Sequence, residues 1–309
     1  MIYTVTLNPA LDKSICVTNF TLDTVNRAES TRLEAGGKGI NVSRITKKLG
    51  FTSKAIGILG GNSGKLIEEK LSAEGIDFEA VFCDGETRTN LKINDYKNNT
   101  FTDINESGFE VSNQTVGKTL DILLSKIKKD DIVVLAGSLP KGANEETYKN
   151  WISECKQRGA MVFLDADGIA LEKGIEATPF FIKPNIDELS RLFKREFSNY
   201  EEIKSAAEIL VNMGINTVAV TLGGDGAIIV TKDGAFKALA APVEVKSTVG
   251  AGDSFVAAVA VATENKLTTE DTLQFAVAVS NAKVTAEGLE FPELSLVEKI
   301  KKSIEIKEI

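Results

Sequence analysis

The sequence predicts an α/β fold: a mostly parallel central sheet covered by helices on both faces, giving an α/β/α sandwich of three layers, with a small β lid set apart. Three observations predict it. Short, β-branched apolar runs alternate with stretches of helical periodicity over most of the 309 residues, the pattern of buried parallel strands joined by crossover helices. A polar, alternating stretch near residues 78–104 breaks that rhythm. Glycine-rich turns, one in each half, open directly into helices.

Residues 2–7 are apolar and β-branched and stop at Asn8-Pro9, as a strand running into a loop does. After a glycine-rich turn, residues 40–49 place Ile40, Ile45 and Leu49 at helical spacing and end at Gly50, a good helix stop. A strand over 55–59 follows, then Gly60-Gly61 and a helix from about 63 to 73. The segments TNLKIND and NTFTDIN are polar and strand-like, with Gly85 and Asn98-Asn99 as turns, and 14–18 has similar character. Lid strands are therefore expected from about 12–35 and 78–106, within one domain spanning 1–309. From Asp131 the alternation resumes. DIVVLAG, AMVFLDA, PFFIKPN and NTVAVTLGG read as buried strands, with amphipathic helices such as 145–158 and 201–213 between them. In such sheets ligands gather beyond the carboxyl ends of the strands, which points at Asn8, Gly137-Ser138, Lys183-Pro184-Asn185 and Leu222-Gly223-Gly224. From Gly250 onward the chain reads as helices, the first rich in alanine and valine.

Composition narrows the chemistry. A net charge of −8 argues against a dedicated nucleic-acid surface. No apolar run approaches the roughly 18 residues that span a bilayer, and the N-terminus lacks the basic and apolar regions of a secretory leader, so a cytoplasmic protein is expected. Cys16, Cys83 and Cys155 are too scattered for a disulfide framework or a zinc site. Histidine is absent, which removes the Ser-His-Asp triad, Cys-His nucleophiles and histidine acid–base catalysis together. What is left is carboxylates, lysine, arginine, backbone amides and oxygen-bound metal. That is the toolkit of phosphoryl transfer.

The segment STVGAGDSF precedes the apolar helix VAAVAVA. Gly250 and Gly252 remove side chains where a helix begins, baring N–H donors that, with the helix dipole, suit an anion. Asp253, in the first turn, can accept a proton from an attacking hydroxyl. On its own the turn fits an ordinary helix start equally well, with an aspartate complementing the dipole. In the other half, EAGGKGINV is a second such turn, with Lys38 as a cation and Asn41 as donor and acceptor. Neither a GxxxxGK[ST] loop nor a strict GxGxxG fingerprint is present.

Taken together and in order, TLNPALD, GGKGxN, GSLP (137–140), KPNxxEL (183–189), TLGGDGA (221–227) and GAGDS resemble the phosphofructokinase B family of ribokinase-like sugar kinases, over essentially the whole chain. The resemblance implies a ribokinase-like fold, ATP and Mg2+ as cofactors, and Asp253 as the base, with Gly250, Ala251 and Gly252 forming the anion hole. It implies that Asn185 and Glu188 place Mg2+, through water, and that Lys183 lies near the phosphates. A proline turn with Asn185 capping a helix accounts for the same residues, and both can hold at once. Thr221, Gly223, Gly226, Ser247 and Asn281 would surround the nucleotide. Asp12, Gly37, Lys38, Asn41 and Ser138 would line the sugar side. Family members that act on sugar phosphates recruit cations, and here Arg88 in TRTNLK is the first candidate, with Arg27, Lys38 and Lys92 in support; Asn90 in the same motif is expected to bind substrate too. The pattern T-R-x-N-x-K is most similar to members that phosphorylate fructose 1-phosphate to fructose 1,6-bisphosphate. Members acting on tagatose 6-phosphate share GGKGxN, GSLP and KPNxxEL, and remain the alternative. A sugar-phosphate sensor without catalysis is the rival from another class. Relatives also pair through the lid, so a homodimer is expected, with no nucleic-acid or membrane partner.

Overall fold

The computed structural model describes residues 1–309. The first half runs β1 (Ile2–Thr6), β2 (Ala10–Val17), β3 (Ser30–Gly36), α1 (Lys38–Lys48), β4 (Ser53–Gly60), α2 (Gly61–Ala73), β5 (Asp77–Cys83), β6 (Thr89–Asp95), β7 (Thr100–Asn105) and α3 (Asn113–Lys126). The middle continues with β8 (Ile132–Ala136), α4 (Thr147–Gln157), β9 (Met161–Asp165), α5 (Gly168–Ile175), β10 (Phe181–Ile182), α6 (Ile186–Phe193) and α7 (Tyr200–Asn212). The last part holds β11 (Thr217–Thr221), β12 (Ala227–Thr231), β13 (Gly234–Ala238), α8 (Ala251–Glu264), α9 (Thr269–Val284), α10 (Leu294–Lys301) and β14 (Ile306–Glu308).

A ten-stranded sheet takes the order β14-β13-β12-β11-β10-β9-β8-β1-β4-β5. Its strands are parallel from β5 through β11 and antiparallel from β12 to β14. Strand β8 shows why both faces must be covered. Val133 and Leu135 enter the core beneath the Tyr148–Trp151–Ile152 side, while Ile132, Val134 and Ala136 enter the opposite core with Val42, Phe255 and Val259. Each such Val or Leu is worth about 1.5–3 kcal/mol when fully buried, so the period-2 alternation of an all-apolar strand is satisfied only between two helical layers. No helix is long and apolar enough to cross a membrane.

A second sheet of four strands has the order β3-β2-β6-β7. It pairs Asp12 with Asn90 and with Glu34, so one face gathers polar side chains from three strands. Residues 78–83, expected among the lid strands, lie elsewhere: β5 pairs in parallel with β4 at the edge of the large sheet. Strand β5 is part-buried or exposed at every position, so it lacks the fully apolar run that marks the central strands of the large sheet.

Candidate active site

Two glycine turns meet at one point. Gly37 caps α1 at φ 133, and a Cβ there would lie 2.7 Å from Thr6 Cγ2, so only glycine lets the turn pack on β1. Gly250 caps α8 in the left-handed region at φ 77, with no side-chain cap. The amides of Gly252 and Asp253 find no acceptor in the chain. The two helices then touch through their first turns: Asn41 Nδ2 donates to Asp253 Oδ2 at 2.7 Å, and both residues are buried. Arg44 fixes that amide, donating from Nη1 to Asn41 Oδ1 (2.8 Å) while Nε and Nη2 grip the Glu74 carboxylate.

Beneath the turns lies a charge cluster that the sequence reading did not contain. Asp165, at the carboxyl end of β9, is 3.2 Å from Lys38 Nζ and 3.3 Å from Lys183 Nζ, and its side chain is almost fully buried. Lys183 is itself close to the α8 turn, 3.5 Å from where a Cβ on Gly252 would stand. Burial, followed by the Asp165 charge, pushes the Asp253 carboxyl above the usual aspartate range, while Lys38, the Asn41 hydrogen bond and Lys183 pull it back. Burial alone would lower the Lys38 ammonium, but Asp165, Asp253 and Glu188 together raise it, so it stays charged.

A cleft of about 320 Å³ opens here, with no apolar side chain in its lining; Thr6, Asn8, Lys38, Arg88, Ser138 and Glu188 contribute to it. Asn8 Nδ2 donates to Ser138 Oγ (3.2 Å), joining the ends of β1 and β8. Asp12, nearby through Gly36, accepts from Asn90 Nδ2 (3.0 Å) and Lys92 Nζ (2.9 Å). Three buried acceptors lack any partner in this region: Asn8 Oδ1, Asn90 Oδ1 and Asp165 Oδ2. Unpaired buried acceptors each cost about 1–3 kcal/mol, a cost that a hydroxyl-rich or hydrated ligand relieves. Arg88 gives three of its five N–H donors to the carbonyls of Asn8, Pro9 and Glu106, and so clamps the β1 end to the lid while two stay free. Arg27 stands apart, exposed between β2 and β3, outside the cleft lining and without a partner.

A model of the pfkB family carbohydrate kinases matches residues 6–295. The chain belongs to this family. The pfkB kinase is 37% identical over 289 residues to 1-phosphofructokinase of Bacillus subtilis, covering 94% of each chain. It is 34% identical over 312 residues to tagatose-6-phosphate kinase of Staphylococcus epidermidis, covering 100% of both. Phosphofructokinase-2 of Escherichia coli, solved in complex with substrates and products, superposes with a TM-score of 0.93 at 29% identity and 98% coverage of each chain. These likenesses make the chain a sugar-phosphate kinase with the α/β fold of the family.

Of the remaining predicted positions of the kinase, Asn185, Glu188, Thr221, Gly223 and Gly226 sit just beyond β10 and β11, and Ser247 and Asn281 lie by α8 and on α9. Asn185 and Glu188 form a reciprocal capping box at α6: Glu188 N donates to Asn185 Oδ1 (2.8 Å) and Asn185 N to Glu188 Oε2 (2.9 Å). Thr221 bridges to Asn185, its amide donating to Pro184 O at 3.1 Å. Gly223 opens a short 3-10 turn, and Gly226 closes it at φ 90. Ser247 Oγ accepts from Val249 N (3.3 Å), and Asn281 Nδ2 donates to Ala241 O (3.1 Å), so both shape the approach to α8. Of the residues missed, Asp165 carried a signal, since it ends a predicted strand at its carboxyl end. Arg44 and Glu74 carried none, because only the fold brings them together.

Proposed function

We propose that this kinase transfers the terminal phosphoryl group of Mg-ATP to a free hydroxyl of fructose 1-phosphate, giving fructose 1,6-bisphosphate and ADP. The observation that supports the reading is the Asn41–Asp253 contact, which joins the first turn of α1, behind the cleft-lining Gly37 and Lys38, to the first turn of α8. Asp253 takes the proton of the attacking hydroxyl as the O–P bond forms and the bond to ADP breaks; a loose transition state asks for orientation more than basicity. The free amides of Gly252 and Asp253, backed by Lys183, receive the charge on the transferring group. In this reading Asp12, Asn90 and Ser138 address the sugar hydroxyls and Arg88, Lys38 and Lys92 serve the phosphate, which the presence of Arg88, Lys38 and Ser138 in the cleft lining supports. Thr221, Gly223, Gly226, Ser247 and Asn281 border the nucleotide.

Magnesium fits the donor set through water. No three carboxylates or thiols gather to ligate it directly, yet Glu188 lines the cleft with one oxygen outside the capping box, and Asp165 Oδ2 is unpartnered. Hydrated Mg2+ with few protein carboxylates and substrate phosphates is a common arrangement, and when bound it neutralises phosphate charge. Tagatose 6-phosphate is the second reading, favoured by the full-length likeness to the S. epidermidis enzyme. The assembly we propose is a homodimer through the four-stranded sheet; E. coli phosphofructokinase-2, for comparison, has been solved in a tetrameric inhibited form.

A coupled assay with ATP against fructose 1-phosphate, fructose 6-phosphate, tagatose 6-phosphate and fructose tests the reading, run beside Asp253→Asn. The highest kcat/KM is expected with fructose 1-phosphate, and Asp253→Asn should lose on the order of 10²–10⁴ in kcat, the usual worth of a general base. Near-normal turnover in Asp253→Asn would remove the assigned base. Binding without turnover across the panel would favour a sensor.

A further inference from the structure

Behind the α8 turn sits a charged group that the chemistry above does not use. Lys283, near the end of α9, is 1% exposed. Its Nζ donates to Gly288 O at 2.8 Å and forms no ion pair. Buried lysines are rare unless paired, because desolvating an ammonium costs several kcal/mol. One carbonyl uses one of three donors, and no carboxylate stands within ion-pair distance of the ammonium. A purely structural role would be filled better by methionine or leucine.

Its place explains the cost. A Cβ on Gly250 would stand 3.5 Å from Lys283 Cε, so the side chain runs directly behind the left-handed residue that begins the turn. The rest of that α9 face grips the same segment: Val284 O accepts from the amides of Lys246 (2.8 Å) and Ser247 (3.2 Å), and Ser280 Oγ donates to Ala251 O (3.0 Å). Helix α9 thus braces 246–251 by hydrogen bonds at three points and brings the Lys283 side chain against Gly250.

We propose that Lys283 is a positioning residue for phosphoryl transfer: an internal cation that holds the 250–252 turn from behind and adds positive potential where negative charge develops. The inference rests on the reading that this turn receives the phosphoryl group. A fixed charge in a water-excluded site acts strongly and needs no reorganisation during the reaction. Burial lowers the ammonium's pKa, while Glu34, Asp253 and Glu290 support the charged form.

The test is steady-state kinetics and thermal melting of Lys283→Met and Lys283→Ala. Lys283→Met should fold with an unchanged or higher melting temperature, lose about tenfold or more in kcat, and keep both KM values within about threefold. Lys283→Ala, which leaves a space lined by the Gly288 carbonyl, should regain part of its kcat in ammonium chloride but not in equal tetramethylammonium chloride, whose cation is too large. A Lys283→Met enzyme with wild-type kcat, or one that fails to fold, overturns the proposal. Asp253→Asn in the same series keeps the two ideas apart. Its inactivity beside a fully active Lys283→Met removes only the lysine's role, whereas wild-type turnover in Asp253→Asn removes the reading beneath it.

Discussion

Asp165 is the residue on which the site's electrostatics turn. It accepts from Lys38 at 3.2 Å and lies 3.3 Å from Lys183, and its charge is the second cause, after burial, of the raised Asp253 carboxyl. As the proposed base, Asp253 must be deprotonated to act, so kcat/KM should fall as pH drops through its pKa. Asp165→Asn removes a neighbouring negative charge and leaves two lysines unneutralised, and both changes lower the Asp253 pKa. The acid limb of the kcat/KM profile should therefore move to lower pH; a limb that stays or rises would contradict the assignment of Asp253 as the titrating group. Stability should move the other way. Lys183 is 5% exposed, and breaking a buried pair by removing one partner costs about 3–5 kcal/mol, so the variant should melt well below wild type.

At the scale of elements, the β11–β12 turn separates a glycine of conformation from a glycine of circumstance. Gly226 has φ 90, and a Cβ there would fall 2.0 Å from Ala238 O, a backbone atom of β13 that cannot swing aside. Gly226→Ala should cost about 2 kcal/mol or more by chemical denaturation, through left-handed strain and displacement of the hairpin. Gly224 has no neighbour within 4 Å of its Cβ position and no positive φ, so Gly224→Ala should stay within about 0.5 kcal/mol. Equal costs in the two variants would refute the argument. The same region marks where sequence reading stopped. Strands buried on both faces, such as β1, β8 and β9, were legible because their apolar runs have no other use. The β12–β13 hairpin is signalled in the sequence only by Asp233-Gly234, and β14 is too short to announce itself before it pairs with β13. In the site, the glycine turns and Asn41 were legible because close backbone approach demands particular residues. Asp165, Arg44, Glu74 and Lys283 were not, since one charged residue in a strand or helix acquires meaning only from neighbours distant in sequence.

At the scale of the whole molecule, the four-stranded sheet has two unlike faces, and its register makes the difference plain. Glu34, Asp12, Asn90 and Asn105 form one cross-strand row, polar throughout. The next row, Leu33, Lys13, Leu91 and Ile104, faces the other way and is mostly apolar, with Leu33 38% and Ile104 53% exposed. Ile15 and Ile93 extend the same face. A monomer seldom leaves such a patch wet, which supports the proposed dimer through this sheet. Ile104→Glu places a charge on an exposed position, so the fold should survive while association weakens. Sedimentation velocity at micromolar protein should show wild type at twice the monomer mass and the variant near the monomer. Because β6 carries Asn90 and Lys92 on its opposite face, loosening the sheet should also raise the KM for the sugar phosphate more than that for ATP. A wild-type enzyme that sediments as a fully active monomer would exclude the arrangement, and the apolar face would then need another cover.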